Sequence, residues 1–406
     1  IILGFEIYSV LNEALNMINT KGVIDSVILK GVTANRNITA FSIAIKLPLA
    51  LYLIYLTKKN WVKLILSSTI TLGLVCLSMI QSRASFVAIG FLALAFIVLN
   101  LILFLKDDRK FNYLFKIGFL IFPILITVLV NQTIISDKGA DLISRAATIS
   151  LSTNDGSVNQ RLRYYNDVFE HLINNPFFGV GLGNWKLKSI DYDKNEIKGY
   201  VVPYHAHSDF IQLGAELGII GFLLYLAIFI LAIYYVIILI KEQTISTSRK
   251  ILLFLLISAL GVYSVDANLN FPIARPQVLV IWTLILGIIT SQYQKFQNQS
   301  SKVRYNKIIS NSFVIIATIL VLPSIFINNQ VYKSLKGQMF LLQDFNSNQY
   351  NLPLNQVDNI VPDTPNITVT TIPINSVKAR YYVNAKKYDK ALDLINNGTK
   401  ANPFLF

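Results

Sequence analysis

The chain has 406 residues, 53% of them hydrophobic and only 14% charged, against about 25% charged in ordinary soluble domains. Its apolar stretches run 18 or more residues with almost no charge, which excludes a water-soluble globular enzyme and points to an all-α polytopic membrane protein. The net charge of +14 reads in such a chain as cytoplasmic lysine and arginine, not as a nucleic-acid surface. The single cysteine, Cys76, lies inside an apolar run and excludes an intrachain disulfide. The chain begins at Ile1, without methionine or a signal peptide, and is expected to be a piece of a longer protein with helices upstream.

Residues 1–18 carry Glu6 and Glu13 and read as the end of an earlier helix or as one lying on the surface, so 1–37 is expected to be an external or surface-lying N-terminal segment. Eight spans follow, at 38–57, 62–81, 84–105, 117–135, 211–240, 251–270, 276–292 and 309–327. One set of connections holds Lys58, Lys59 and Lys63; Lys106, Arg109, Lys110 and Lys116; Lys241, Arg249 and Lys250; and Lys295, Lys302, Arg304 and Lys307. The short opposite loops hold only Arg83 and Arg275. The basic side is therefore read as cytoplasmic, which makes the 136–210 loop and everything after 328 external.

Candidate functional residues appear along this order. Lys46 lies inside the first span beside Pro48; an intramembrane lysine is a functional candidate, with snorkelling the plainer reading. Arg83, in "SMIQSRASFV", sits between two spans and either snorkels or binds an anion. In the long loop, "NQRLRYYNDVFEHLI" has helical period: Leu162, Tyr165, Phe169, Leu172 and Ile173 form one face. Arg161 falls at its edge, where it needs an anionic partner, and Arg163 nearly opposite, in solvent. "NPFFGVGLGNW" follows; its Gly179, Gly181 and Gly183 allow a tight turn or a backbone nest for phosphate, though the spacing is not a dinucleotide fingerprint.

"HAHSDFIQLGAELGIIGF" then brings His205, His207 and Asp209 to the start of the fifth span. Two histidines are too few for a zinc or copper site by themselves, although His171, Asp209 and Glu216 could join them. A histidine at the external mouth of a helical bundle can instead take a proton from a hydroxyl; a plain polar helix start is the alternative. "SVDANLNFPIARPQ" crowds Asp266, Asn268, Asn270 and Arg275 into the last external short loop, where they can line the same mouth. The stretch 343–375 is rich in Asn, Pro, Thr and Gln, so 328–375 is read as an external linker. In 376–406, Ala379, Tyr382, Ala391, Ile395, Gly398 and Pro403 take the small, aromatic and proline positions of a tetratricopeptide-like unit. One unit cannot bury its face alone, so further repeats are expected downstream.

Together, "SR" at 82–83, "RLRYY…NPFFGVGLGNW", "HSDFIQLGAELGIIGF" and the Asn-rich "NRNITA" at 35–40 resemble the O-antigen ligase/O-antigen polymerase superfamily over roughly residues 31–290. Tyr165 stands where that family commonly has tryptophan and Ser208 where it commonly has asparagine. The tail resembles a subset of the family that ends in such repeats. The resemblance implies a GT-C-type helical bundle spanning 38–327, in the bacterial inner membrane, with its long loop and C-terminus periplasmic. It implies transfer of a glycan from an undecaprenyl-diphosphate carrier to an acceptor, without metal or cofactor. His207, Arg161 and Arg83 are then the expected catalytic residues, with His205, Lys46, Arg275, Gly181 and Asp209 as further substrate contacts. The acceptor stays open between a lipid, a growing polymer and a protein, and the repeat tail is expected to dock a protein partner. A lipid-linked glycan transporter, which would also want a basic cavity but not His207, and a scaffold whose repeats recruit partners while the membrane part only anchors, are the competing readings.

Overall fold

A computed structural model describes residues 1–106, 110–149, 156–196, 203–300 and 307–405; Arg109, Lys302 and Arg304 of the basic connections lie outside the described residues. The described chain forms sixteen α-helices: α1 (Ile2–Lys21), α2 (Arg36–Ala44), α3 (Leu47–Leu56), α4 (Asn60–Ile80), α5 (Arg83–Lys106), α6 (Lys110–Val130), α7 (Leu142–Ala147), α8 (Gly156–Asn174), α9 (Trp185–Asp193), α10 (Asp209–Lys241), α11 (Thr247–Ala267), α12 (Pro276–Ser300), α13 (Lys307–Asn346), α14 (Leu354–Asn359), α15 (Ile374–Asn384) and α16 (Tyr388–Ala401). It is an all-α polytopic membrane protein: eight helical stretches are long and apolar enough to cross a bilayer. They start at Arg36, Asn60, Arg83, Asn112, Asp209, Thr247, Pro276 and Asn311, within a few residues of the spans read from hydropathy. The eighth differs at its far end. α13 continues to Asn346 because no proline interrupts the chain between Ser324 and Asn351; it stops where Asn348 and Tyr350 take left-handed φ.

The chain divides into two compact units, Ile1–Gly179 with His205–Lys302, and Val180–Tyr204 with Val303–Phe406. In the first unit, α1 buries Ile7, Val10, Ala14 and Met17, the period of one helical face. Its Glu6 is also buried and pairs with Lys46 Nζ at 2.8 Å. The first span is two helices, α2 and α3, broken at Ile45 and Lys46 just before Pro48, since proline has no N–H to donate to the carbonyl four residues back, at Ala44, and its ring crowds that carbonyl. At that break Lys46 Nζ also donates to the Ser42 carbonyl at 2.6 Å and Ser42 Oγ at 2.7 Å.

Two glycines let the loop dock on α10. Gly218, inside α10, has φ 69 and ψ −170, a region open essentially to glycine. A Cβ there would meet the Phe177 carbonyl oxygen at 2.1 Å. Gly179, φ 62, would place a Cβ 2.5 Å from the Ala215 carbonyl. Ile219 N–H then donates to the Pro176 carbonyl at 2.8 Å. The "NPFFG" and "ELG" stretches are thus two sides of one backbone contact.

In the second unit, α15 and α16 form a helical hairpin whose Ala379, Tyr382, Ala391 and Leu394 bury one another. Gly398 lies so close to Ser376 that a Cβ would meet its Oγ at 2.2 Å. Tyr381 Oη donates to Asp344 Oδ2 of α13 at 2.9 Å, and Tyr382 Oη to Asp358 Oδ2 of α14 at 2.7 Å.

Candidate active site

Span alternation brings the start of α2, the α4–α5 turn, the end of α6, the start of α10 and the α11–α12 loop to one end of the first unit, opposite Lys58, Lys59, Lys241 and Lys250. A cavity of about 490 Å³ opens there. Arg36, Arg83, Arg145 and Arg161 all line it, with Asn37, Ser157 and Asn270, and none of its described lining residues is acidic.

Each arginine is placed by its own local structure. Asn35 caps α2, its Oδ1 accepting from Asn37 N and Ile38 N, and this sets Arg36 on the first turn. Gln81 takes φ 57, so α4 reverses into α5 within two residues and Arg83 opens the new helix. Its Nε donates to Thr148 Oγ1 at 3.0 Å. Arg145 rides on the short helix α7, which buried Asn131 fastens: Asn131 Oδ1 accepts from Leu142 N at 2.8 Å and Nδ2 donates to the Ala140 carbonyl at 2.9 Å. Arg145 Nε reaches back to the Gln81 carbonyl at 3.1 Å. Arg161, on α8, donates to Ser157 Oγ at 2.8 Å.

His207 is not among the lining residues of this cavity, but Arg161, which is, stands near enough to act on its charge, and Phe271, next to the lining residue Asn270, touches its ring. Its ring lies parallel to Tyr164, centroids 6.1 Å apart, and meets the edge of Phe271 at 5.5 Å. Tyr165 Oη lies 3.2 Å from the His207 carbonyl and 3.0 Å from that of Asn268, tying α8 to the histidine and to the α11–α12 loop. Burial first, then the Arg161 guanidinium and His205, push the His207 pKa down to about 4. It is therefore a neutral imidazole at neutral pH, and Nδ1 finds no hydrogen-bond partner among the described residues. His205 is held differently: it stacks on Phe271 at 4.0 Å, and its Nδ1 lies 3.1 Å from Gln212 Oε1. Gln212 Nε2 donates to Glu216 Oε1 at 3.1 Å, so Gln212 Oε1 is the acceptor and His205 Nδ1 carries the proton.

Residues 68–226 match the family model described as O-Antigen ligase (Wzy_C), a window that includes Arg83, Arg145, Arg161, His205 and His207. This part of the chain is an O-antigen ligase family domain. The family is one of membrane glycosyltransferases of the ligase and polymerase type. No curated protein and no solved structure matches the chain.

Within the ligase domain and its flanks, the structure brings Arg83 and Arg161 into one cavity and sets His207 beside them. Lys46 does not line that cavity; it is buried in the Glu6 and Ser42 hydrogen bonds of the first span. Asp209 is fully buried, with Oδ2 accepting from Ile273 N at 2.9 Å. Arg275 sits over the Phe271 ring at 4.9 Å, where burial lowers its pKa from the usual guanidinium value. Gly181 belongs to the second unit, in the turn before α9, with φ 90 and its carbonyl accepting from Asn184 N at 3.1 Å. Among the described residues, His, Cys, Asp and Glu nowhere gather in a group of three that could hold a metal ion.

Two expectations for α8 are corrected. Its buried side is Tyr164, Val168 and His171, while Leu162, Phe169 and Ile173 are exposed. Phe169 and Leu172 instead border an apolar cavity of about 510 Å³ with Phe210 and Phe222. Apolar and tyrosine side chains cover about half the circumference of this helix, and the aromatic contact of Tyr164 with His207 lies on the packed side. Arg163 is accordingly half-buried and not in open solvent, its guanidinium 5.4 Å from the Tyr164 ring centre. Arg36 and Arg145 were missed. The one signal for Arg36 was its place inside "NRNITA"; Arg145 had none, since its role comes only from α7 folding over the α4–α5 turn.

Proposed function

We propose that this protein transfers a glycan from an undecaprenyl-diphosphate carrier to an acceptor hydroxyl. The inner membrane holds it with the lysine-rich connections cytoplasmic and the arginine cavity at the periplasmic face. The observation that carries this reading is the cavity lined by Arg36, Arg83, Arg145 and Arg161 with His207 alongside. Planar, permanently charged guanidinium groups suit phosphate oxygens. Held in place before the reaction, they stabilise charge that develops as the glycosidic bond breaks.

In the step proposed, the acceptor oxygen attacks the anomeric carbon and its proton passes to the neutral His207 imidazole. The bond from that carbon to the diphosphate oxygen breaks, and its electron pair leaves with undecaprenyl diphosphate into the arginine cavity. Protonated His207 returns its proton to water. No metal takes part. A lipid, a growing polymer or a protein can each present the hydroxyl.

The test is discharge of a radiolabelled undecaprenyl-diphosphate glycan by purified protein, with and without a chelator. Wild type discharges it into an acceptor in both conditions. His207→Ala lowers the rate by about 10²–10⁴-fold while the carrier still binds. Binding without discharge in wild type would favour a transporter, and chelator inhibition reversed by zinc would overturn the metal-free mechanism.

A further inference from the structure

The loop between α11 and α12 contributes one side chain that touches both histidines. Phe271 stacks on His205 at 4.0 Å and 13°, and meets His207 at 5.5 Å and 69°. Tyr164 supplies a second ring, nearly parallel to His207 at 14°, with centroids 6.1 Å apart. The loop is itself pinned at both ends by buried carboxylates. Asp266 Oδ1 accepts from Asn270 Nδ2 at 2.5 Å, and Asp209 Oδ2 accepts from Ile273 N at 2.9 Å. Phe271 lies between those two anchors, immediately after Asn270, which lines the arginine cavity. Both carboxylates are fully buried. Burying two acids to fasten one short loop is costly, and what the loop delivers to the site is the Phe271 ring.

We propose that Phe271 is the positioning residue for His207: with Tyr164 it clamps the imidazole in place and keeps bulk water from one side of it. This rests on the glycosyl-transfer reading for its consequence but not for its geometry. His207 has φ 58, a left-handed backbone uncommon for a residue with a side chain. Its direction is thus set by its surroundings, and those are Tyr164 and Tyr165 from α8 and Phe271 from the loop. The charged and titratable groups around it are Arg161, Tyr164 and Tyr165 on α8, His205 on its own segment and Arg275 over the Phe271 ring, with Asp209 and Asp266 behind the loop. Phe271 carries no charge. Its removal acts through hydration and orientation, and the burial that keeps His207 neutral weakens.

Two measurements on the full chain test this. The first is carbethoxylation of His207 against pH, read by tandem mass spectrometry; only the unprotonated ring reacts, so the midpoint is its pKa, with no activity required. Phe271→Leu moves that midpoint up by about one unit, and Phe271→Tyr leaves it in place; Phe271→Met, an adaptable side chain, serves if the leucine variant does not fold. The second is the pH profile of transfer. In Phe271→Leu, kcat falls about tenfold or more, the acid limb rises with the carbethoxylation midpoint, and KM for the carrier stays within about twofold of wild type. An unmoved midpoint overturns the proposal. So does a fall in kcat with an unmoved acid limb, which would make Phe271 a packing residue only. If the midpoint moves but wild type discharges no carrier, the clamp stands and the transferase reading falls.

Discussion

His207 is neutral in the free protein because it is buried and because Arg161 and His205 stand near it. Only the neutral ring accepts a proton, so the sign of the pH dependence follows: activity is present above the histidine pKa and lost as pH falls through it. Since kcat/KM reports the free enzyme, its acid limb is expected near pH 4, well below the ordinary value of 6.5. On the proposed reading, the diphosphate of a bound carrier changes that balance. Its negative charge offsets the Arg161 guanidinium, protonation becomes easier, and the acid limb of kcat is expected at higher pH than that of kcat/KM. Steady-state rates from pH 3.5 to 8 at low and saturating carrier check both limbs; coincident limbs would mean that diphosphate is not bound beside Arg161. The two loop arginines give a second contrast. Arg161 lines the cavity, whereas Arg163 packs on Tyr164 and does not. Arg161→Ala is expected to lower transfer by about 10²-fold and Arg163→Ala by only a fewfold, compared at equal expression. Equal losses would assign the effect to the overall charge of the loop.

At the scale of elements, the site depends on how closely the loop seats on α10. Gly218 and Gly179 make that contact a backbone-to-backbone one, and Ser208, whose Oγ accepts from Ile211 N at 3.4 Å, caps the helix just after His207. Gly218→Ala adds a Cβ where none fits, in a conformation whose strain alone is about 1–3 kcal/mol. The expected outcome is a lower unfolding midpoint in detergent together with reduced discharge. Gly287→Ala in α12, where a Cβ meets nothing within 4 Å, is the control and should hold or raise the midpoint. The hydrophobic period of α8 showed a helix, and a helix is there. It did not show which side packs, because an amphipathic pattern names an apolar stripe but not its neighbour, and in this helix tyrosine and histidine fill the buried side.

For the whole molecule, the proposed orientation of the eight candidate spans among the described residues makes a topological prediction. If the lysine-rich ends are cytoplasmic and every span crosses, α9 and the residues after α13 are expected on the opposite side of the membrane. Cysteines at Lys194 and Ser347, both exposed, should react with an impermeant thiol reagent in spheroplasts, while a cysteine at Lys59 should react only after lysis. The native Cys76 is buried and gives no background. Labelling of only one of the two external positions would break the eight-span order.

The sequence by itself determined the number of candidate spans found among the described residues, their approximate limits and which connections are basic. Hydropathy is a local, additive property of 20 or so residues, so no long-range contact is needed to read it. It also pointed to Arg83, Arg161 and His207, because the stretches that carry them lie close to a family pattern. Only the tertiary structure decided that Arg36 and Arg145 share their cavity, that Lys46 is paired with Glu6, forty positions away, and that Phe271 faces both histidines. Those facts are made by contacts between segments far apart in the chain. Each residue is locally unremarkable: an arginine after a cap, a lysine before a proline, a phenylalanine in a loop. Its role is set by the partner that folding brings to it.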